Sequence, residues 1–191
     1  MESNCQPSFY IEHLNEKPEH LGMISVFKTR ELGEGLSTYL KLFAGDDEEK
    51  GRAKTYIVRD VYTKEMVGYF SLKCGHVVEK VKVGCFRKER IAEPGIELAN
   101  FAINENYRIS HPKYEHLGKM IFVRFIEPMV KEVSKVVGVR YLYIFALPEP
   151  SLINYYKTLG FTRFPKNMEQ YLYRHSKPNY DAGCIFMYRL V

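Results

Sequence analysis

Along this chain the apolar positions change spacing repeatedly, from three-and-four to alternate residues and back, and each change marks an element. Leu36, Tyr39, Leu40 and Phe43 lie on one helical face that Gly45 closes. The acidic stretch at 46–50 then caps and starts a second short helix. Residues 55–58 read as a strand, and 66–72 as its hairpin partner across a turn near Thr63 and Lys64. Residues 75–95 carry charges, Gly84 and Pro94, and read as a long loop or a ragged pair of strands. Residues 96–103 are apolar at Ile96, Leu98, Ala99, Phe101, Ala102 and Ile103, the pattern of a strand covered on both faces.

The longest helical pattern is 118–137, with a stripe of Phe122, Phe125, Ile126, Met129, Val133, Val136 and Val137. Pro128 inside it predicts a kink, and Gly138 ends it. Residues 141–146 form another buried strand, cut off by Pro148 and Pro150. A short helix follows at 151–159, with Gly160 just beyond its end. Residues 184–190 alternate and close the chain as a strand. The polar opening, with Pro7 and Pro18, reads as a lead-in over 1–22 or a short first strand. This order predicts a single α/β domain over 23–191, of mixed α+β layout.

Composition narrows the partners. The chain has 191 residues and is 46% hydrophobic, enough for one core. With 28 basic and 23 acidic residues the net charge is +5, which suits an anionic ligand such as a nucleotide-bearing cofactor. No basic block of the kind nucleic-acid binders show is present, so nucleic acid is a partner the chain allows without favouring. Cys5, Cys74, Cys85 and Cys184 make no C-x-x-C pair, and the histidines are not at zinc-ligand spacing beside them, so no metal site is expected. No apolar run approaches about 18 residues, which argues against a membrane span. The opening lacks a basic start followed by an apolar core, so a cytoplasmic protein is expected.

Three local patterns carry chemistry. One is Tyr155-Tyr156-Lys157-Thr158-Leu159-Gly160-Phe161, on the short helix. The second is the strand 97–103 leading into Asn104-Glu105-Asn106-Tyr107-Arg108, and the third is His116-Leu117-Gly118-Lys119-Met120 at the start of the long helix. A helix start has unpaired N–H groups and a positive dipole end, which together can hold a pyrophosphate. Leu117 to Met120 would supply the amides and Lys119 a charge. Glu97 is a lone carboxylate in a nearly all-apolar strand. Its burial would suit a general base, and a structural pairing with a lysine is the competing reading. Lys166, Arg174, His175 and Lys177 sit in a basic, aromatic segment (165–183) that reads as a solvated loop with anchoring tyrosines, or as a flank of the acceptor site.

Together these patterns resemble the GNAT superfamily of N-acetyltransferases over residues 23–191. The first is similar to the aromatic-Tyr-x-x-x-Gly-Phe signature on the family's last helix. The others resemble its fourth strand and its pyrophosphate loop, Arg/Gln-x-x-Gly-x-Gly/Ala. Arg108 has the right offset from Ile103 for the loop's first residue, and residues 109–115 then stand as an insertion. Counting back from Gly118 puts Lys113 in that place instead, with His116 where the family has glycine. The resemblance implies a mostly antiparallel sheet splayed between 96–103 and 140–146, with acetyl-CoA as co-substrate in the splay. It also implies cofactor contacts at Phe101, Ala102, Ile103, Arg108 or Lys113, His116, Leu117, Gly118, Lys119 and Met120. Tyr156 would protonate the leaving thiolate, and Glu97 matches the base position of the histone-acetylating branch. The implied reaction is direct acetyl transfer to a primary amine of unknown class in a ternary complex, with room for a homodimer. Two alternatives are a non-catalytic acyl-CoA-binding or interaction module, and a toxin-like acetyltransferase acting on aminoacyl-tRNA.

Overall fold

The computed structural model describes residues 8–14, 16–83, 87–175 and 183–191. The strands are β1 (Phe9–His13), β2 (Lys54–Asp60), β3 (Met66–Val83), β4 (Arg87–Ile103), β5 (Tyr141–Ala146) and β6 (Ile185–Leu190). They follow one another in the sheet in chain order, and β1–β2, β2–β3 and β5–β6 are antiparallel while β4–β5 is parallel. This is the mixed, mostly antiparallel α/β sheet that the element order predicts. The chain divides into two compact units, Met1–Leu72 with Ala99–Glu127, and Lys73–Leu98 with Pro128–Val191.

In the first unit the polar opening is a strand. β1 pairs with β2 from Phe9 opposite Asp60 to His13 opposite Tyr56. Helix α1 (His20–Ser25) follows, so residue 22 falls inside an element. Asp60 Oδ1 accepts from the N–H groups of Tyr62 and Thr63, and Lys64 takes φ 62°, which makes the tight turn expected before β3. The next helix differs from the expected one. α2 (Glu34–Leu42) stops before Phe43, whose side chain is exposed, and α3 (Ala44–Glu49) starts at once, with Gly45 inside it. Ala44 is buried beside Leu40, Phe27, Ile57, Tyr69 and Ala102 and takes the core place that Phe43 leaves. Asp46 and Asp47 stand in the first turn of α3, where the helix dipole favours negative charge.

Of the two readings of 75–95 the strand pair is present: 75–83 belong to β3 and 87–95 to β4. Tyr141 of β5 donates to Glu79, and Arg140, just before β5, pairs with Glu93 at 2.6 Å. Gly84 and Cys85 lie outside the described residues.

The long helical pattern resolves into α5 (Leu117–Ile121), a π-helical segment over Phe122–Ile126, and α6 (Glu127–Ser134). Pro128 has no N–H for the fourth carbonyl before it and its ring crowds that turn, so the widened segment just ahead of it is the physical form of the expected kink. Of the stripe, Phe122 and Ile126 are buried and Phe125 and Met129 half-buried, while Ile121 and Val130, outside it, are buried beside them. Val136 and Val137 lie past the helix end and are exposed, so the stripe is shorter than its sequence pattern.

The second unit holds α7 (Pro150–Thr158) and α8 (Lys166–His175). α8 corrects the reading of 165–183 as a solvated loop. Leu172 is buried in a cluster with Val77, Tyr141, Tyr143, Phe164 and Phe186, and Arg163 grips Glu169 through two 2.9 Å hydrogen bonds. Lys177 lies outside the described residues.

Candidate active site

The end of β4 is tied into the first unit. Ala102 joins the core, Phe101 and Ile103 are half-buried, and the Asn104 N–H donates to Val67 O at 2.8 Å. A side chain at Gly68 would place its Cβ 2.6 Å from Ala102 O, so the two strands meet there only because position 68 is glycine. Asn104 caps α4 (Glu105–Ser110) by accepting from the N–H of Asn106, while its side-chain amide donates to Met66 O.

Arg108 therefore sits in a helix, where it pairs with Glu105. The apparent insertion 109–115 is held by an aromatic ladder. Tyr107, His111 and Tyr114 stack at 4.1 and 5.6 Å, and Tyr107 Oη donates to Asp60. Burial and the Asp60 carboxylate raise the Tyr107 phenol well above its ordinary range, so it remains a donor.

His116 caps α5 in the left-handed conformation, φ 57° and ψ 30°. That conformation is free to glycine and costs roughly 1–2 kcal/mol for an L-residue. His116 thus holds, as a non-glycine residue, a conformation that glycine adopts without cost. The carbonyl of His116 accepts from Met120 N–H, and no side chain caps the helix start. The N–H groups of Leu117, Gly118 and Lys119 precede the first intrahelical bond and point out of the helix end.

Around this start lies a cavity of about 620 Å³ lined by Phe9, Lys113, Tyr114, Glu115, His116, Lys119, Met120, Val123 and Arg124. Lys113, His116, Lys119 and Met120 come together here, and Arg108 does not line it. Phe9, Tyr114, Glu115, Val123 and Arg124 escaped the sequence reading. Arg124 lies beyond the end of the quoted motif, one helical turn past Met120, and Phe9 comes from a strand far away in the chain.

The catalytic candidates both lie in the second unit. Glu97 is buried, 4% exposed, with Lys73 Nζ at 3.4 Å from its carboxylate. It stands opposite Tyr143 in the parallel pairing of β4 with β5, which joins Gly95 to Tyr141, Ile96 to Leu142 and Glu97 to Tyr143. Tyr156 is buried in α7 between Tyr155 and Phe161, with ring centroids at 5.2 and 5.5 Å. Pro150 starts this helix and Gly160, at φ 85°, ends it, which returns Phe161 N–H to Tyr156 O at 3.1 Å. Burial, and then the neighbouring Tyr155, push the Tyr156 phenol up, so the hydroxyl keeps its proton at working pH.

No protein-family model and no curated protein matches the chain. Solved structures do match in fold. A tyrosine-to-phenylalanine mutant of KacT is 18% identical, with a TM-score of 0.67 over 97% of this chain and 95% of its own. AtaTR bound with AcCoA is 18% identical, with a TM-score of 0.64 over 95% of this chain and 92% of its own. AtaT complexed with acetyl-methionyl-tRNAfMet is 17% identical, with a TM-score of 0.62 over 94% of each chain. At these identities the likeness is one of fold.

Proposed function

We propose that this protein transfers the acetyl group of acetyl-CoA to a primary amine. The observation that carries the reading is the uncapped helix start at His116, left-handed in its backbone, opening on a cavity where Lys113, Lys119 and Arg124 outnumber the one carboxylate, Glu115. Three cationic side chains and outward N–H groups fit a pyrophosphate. The co-substrate supplies an activated thioester. The amine nitrogen forms a bond to the carbonyl carbon, the carbon–sulfur bond breaks, and the sulfur leaves as the CoA thiolate, which takes up the proton that the amide nitrogen sheds. Glu97 takes the amine proton, directly or through water, since a free amine of pKa about 10.4 is otherwise protonated. Tyr156 donates a hydrogen bond to the departing sulfur.

The first acceptor class to test is aminoacyl-tRNA, because one protein of this fold is known in complex with an acetylated methionyl-tRNA. Two further features belong to the same proposal: a homodimer, checked by light scattering, and a cytoplasmic setting. No helix among the described residues is long and apolar enough to cross a membrane.

Calorimetric titration with acetyl-CoA tests the reading, with adenosine and acetate as controls. Saturable binding below millimolar concentration is expected, and its absence removes the enzyme. Release of CoA is then followed with methionyl-tRNA, lysine-bearing peptides, polyamines and aminoglycosides. Binding without release on any acceptor would support the non-catalytic module. The loop has its own expected result. His116→Gly relieves the left-handed strain and leaves acetyl-CoA affinity unchanged or improved, while Gly118→Val weakens it sharply with the fold intact by circular dichroism. A strong loss in His116→Gly would instead make the imidazole a ligand contact.

A further inference from the structure

Tyr143 occupies a slot cut by two glycines. A Cβ on Gly75 would lie 1.9 Å from Tyr143 Oη and 3.0 Å from its Cζ. A Cβ on Gly95 would lie 3.1 and 3.2 Å from ring atoms of the same tyrosine. Gly95 is two residues before Glu97 on β4, so both point to the face that Tyr143 crosses from β5. Gly75 is on β3, so the ring reaches from β5 across β4, and only glycines at 75 and 95 leave it that path. The ring is otherwise fixed by packing, with Phe145 and Phe186 at 6.2 and 5.7 Å. Tyr143 and Glu97 stand opposite each other in the β4–β5 register, and burial, then the nearby Glu97 carboxylate, raises the phenol above its ordinary range. Lys73, from β3, holds the same carboxylate at 3.4 Å.

A buried carboxylate that must accept a proton needs one fixed orientation, and a stiff aromatic donor provides it better than a flexible one. We infer that Tyr143, seated in the Gly75–Gly95 slot, is a positioning residue that aims Glu97 at the incoming amine. This inference rests on the proposed acetyl transfer and on Glu97 as its base.

Tyr143→Phe keeps the ring and removes only the donor. Acting through Glu97, it should lower kcat about tenfold or more while KM for acetyl-CoA stays as in the parent. In a Glu97→Gln background the same change should have no further effect on kcat, since the group it serves is gone. Gly75→Ala, which displaces the hydroxyl, should reproduce the loss in kcat. The assay is CoA release with the fastest amine of the panel above, and thermal unfolding of the four variants gives a second cycle that needs no acceptor. Coupling between Tyr143→Phe and Glu97→Gln in both measurements supports the inference. A Tyr143→Phe enzyme with parental kcat, or equal losses in both backgrounds, overturns it. If Glu97→Gln alone leaves kcat unchanged, Glu97 is not the base, and the inference falls with that reading. That case is told apart because the single variant reports it before any cycle is built.

Discussion

Tyr156→Phe is expected to lower kcat by roughly ten- to a thousand-fold with acetyl-CoA affinity nearly intact, in line with general acid contributions of about 10² to 10⁴. The substitution removes one oxygen from a ring that is already buried between Tyr155 and Phe161, so packing and fold should persist. The effect falls on kcat because the sulfur gains negative charge only as the carbon–sulfur bond breaks, and a donor aimed there is strongest in the transition state. A phenol raised by burial stays neutral, so its part is a hydrogen bond that shortens as the thiolate forms. Steady-state kinetics on the best acceptor, beside a calorimetric acetyl-CoA titration of both proteins, separates kcat from binding. Unchanged kcat would remove the motif's central residue from the chemistry and leave the departing thiolate to solvent.

The largest effect on stability is expected at Glu12, in β1. Its buried carboxylate accepts from Arg59 Nη1 at 2.9 Å, His20 Nε2 at 3.0 Å, and Lys17. Arg59 and His20 are themselves buried, and His20 Nδ1 is engaged with Leu14 O. Glu12→Ala would leave the buried Arg59 guanidinium and the His20 ring without their shared acceptor, and removing one partner of a buried ion pair costs about 3–5 kcal/mol. Urea unfolding at neutral pH should show that loss as a lower midpoint with an unchanged slope.

The pH dependence has a definite sign. Burial pushes the Glu12 carboxyl up, but the hydrogen bonds from Arg59, Lys17 and His20 outweigh it and hold the group at about 2, below its ordinary 4.5. A lowered folded-state value means the contribution is complete above 4.5 and is lost as pH falls toward about 2. The gap between parent and Glu12→Ala should therefore narrow through that window. A gap that stayed constant down to about pH 2 would show that the carboxylate's charge is not what stabilises the fold.

Local periodicity was enough for much of the molecule. β2, β5, β6 and α7 are near the ranges their patterns predict, because each draws its signal from neighbours within one turn or one pleat. The Tyr156 motif and the helix start at 117 were legible for the same reason, since Pro150, Gly160 and Gly118 act on the backbone beside them. Other features depend on partners remote in sequence. Glu12 looked like part of a polar lead-in because Arg59 stands 47 residues away. The charged run at 75–95 left loop and ragged strands open, because the partners of Glu79 and Glu93 stand at 140–141. Between Arg108 and Lys113 the sequence offered no choice. The fold sets Arg108 in α4, paired with Glu105, and brings Lys113 to the cavity at the start of α5. Nor could spacing reveal that Gly75 and Gly95 serve one tyrosine, because three strands must lie side by side before their side chains meet. Sequence determines what each short segment prefers; which charges are paired and which ring fills which gap is decided by packing between segments, since those contacts exist only once the chain has folded.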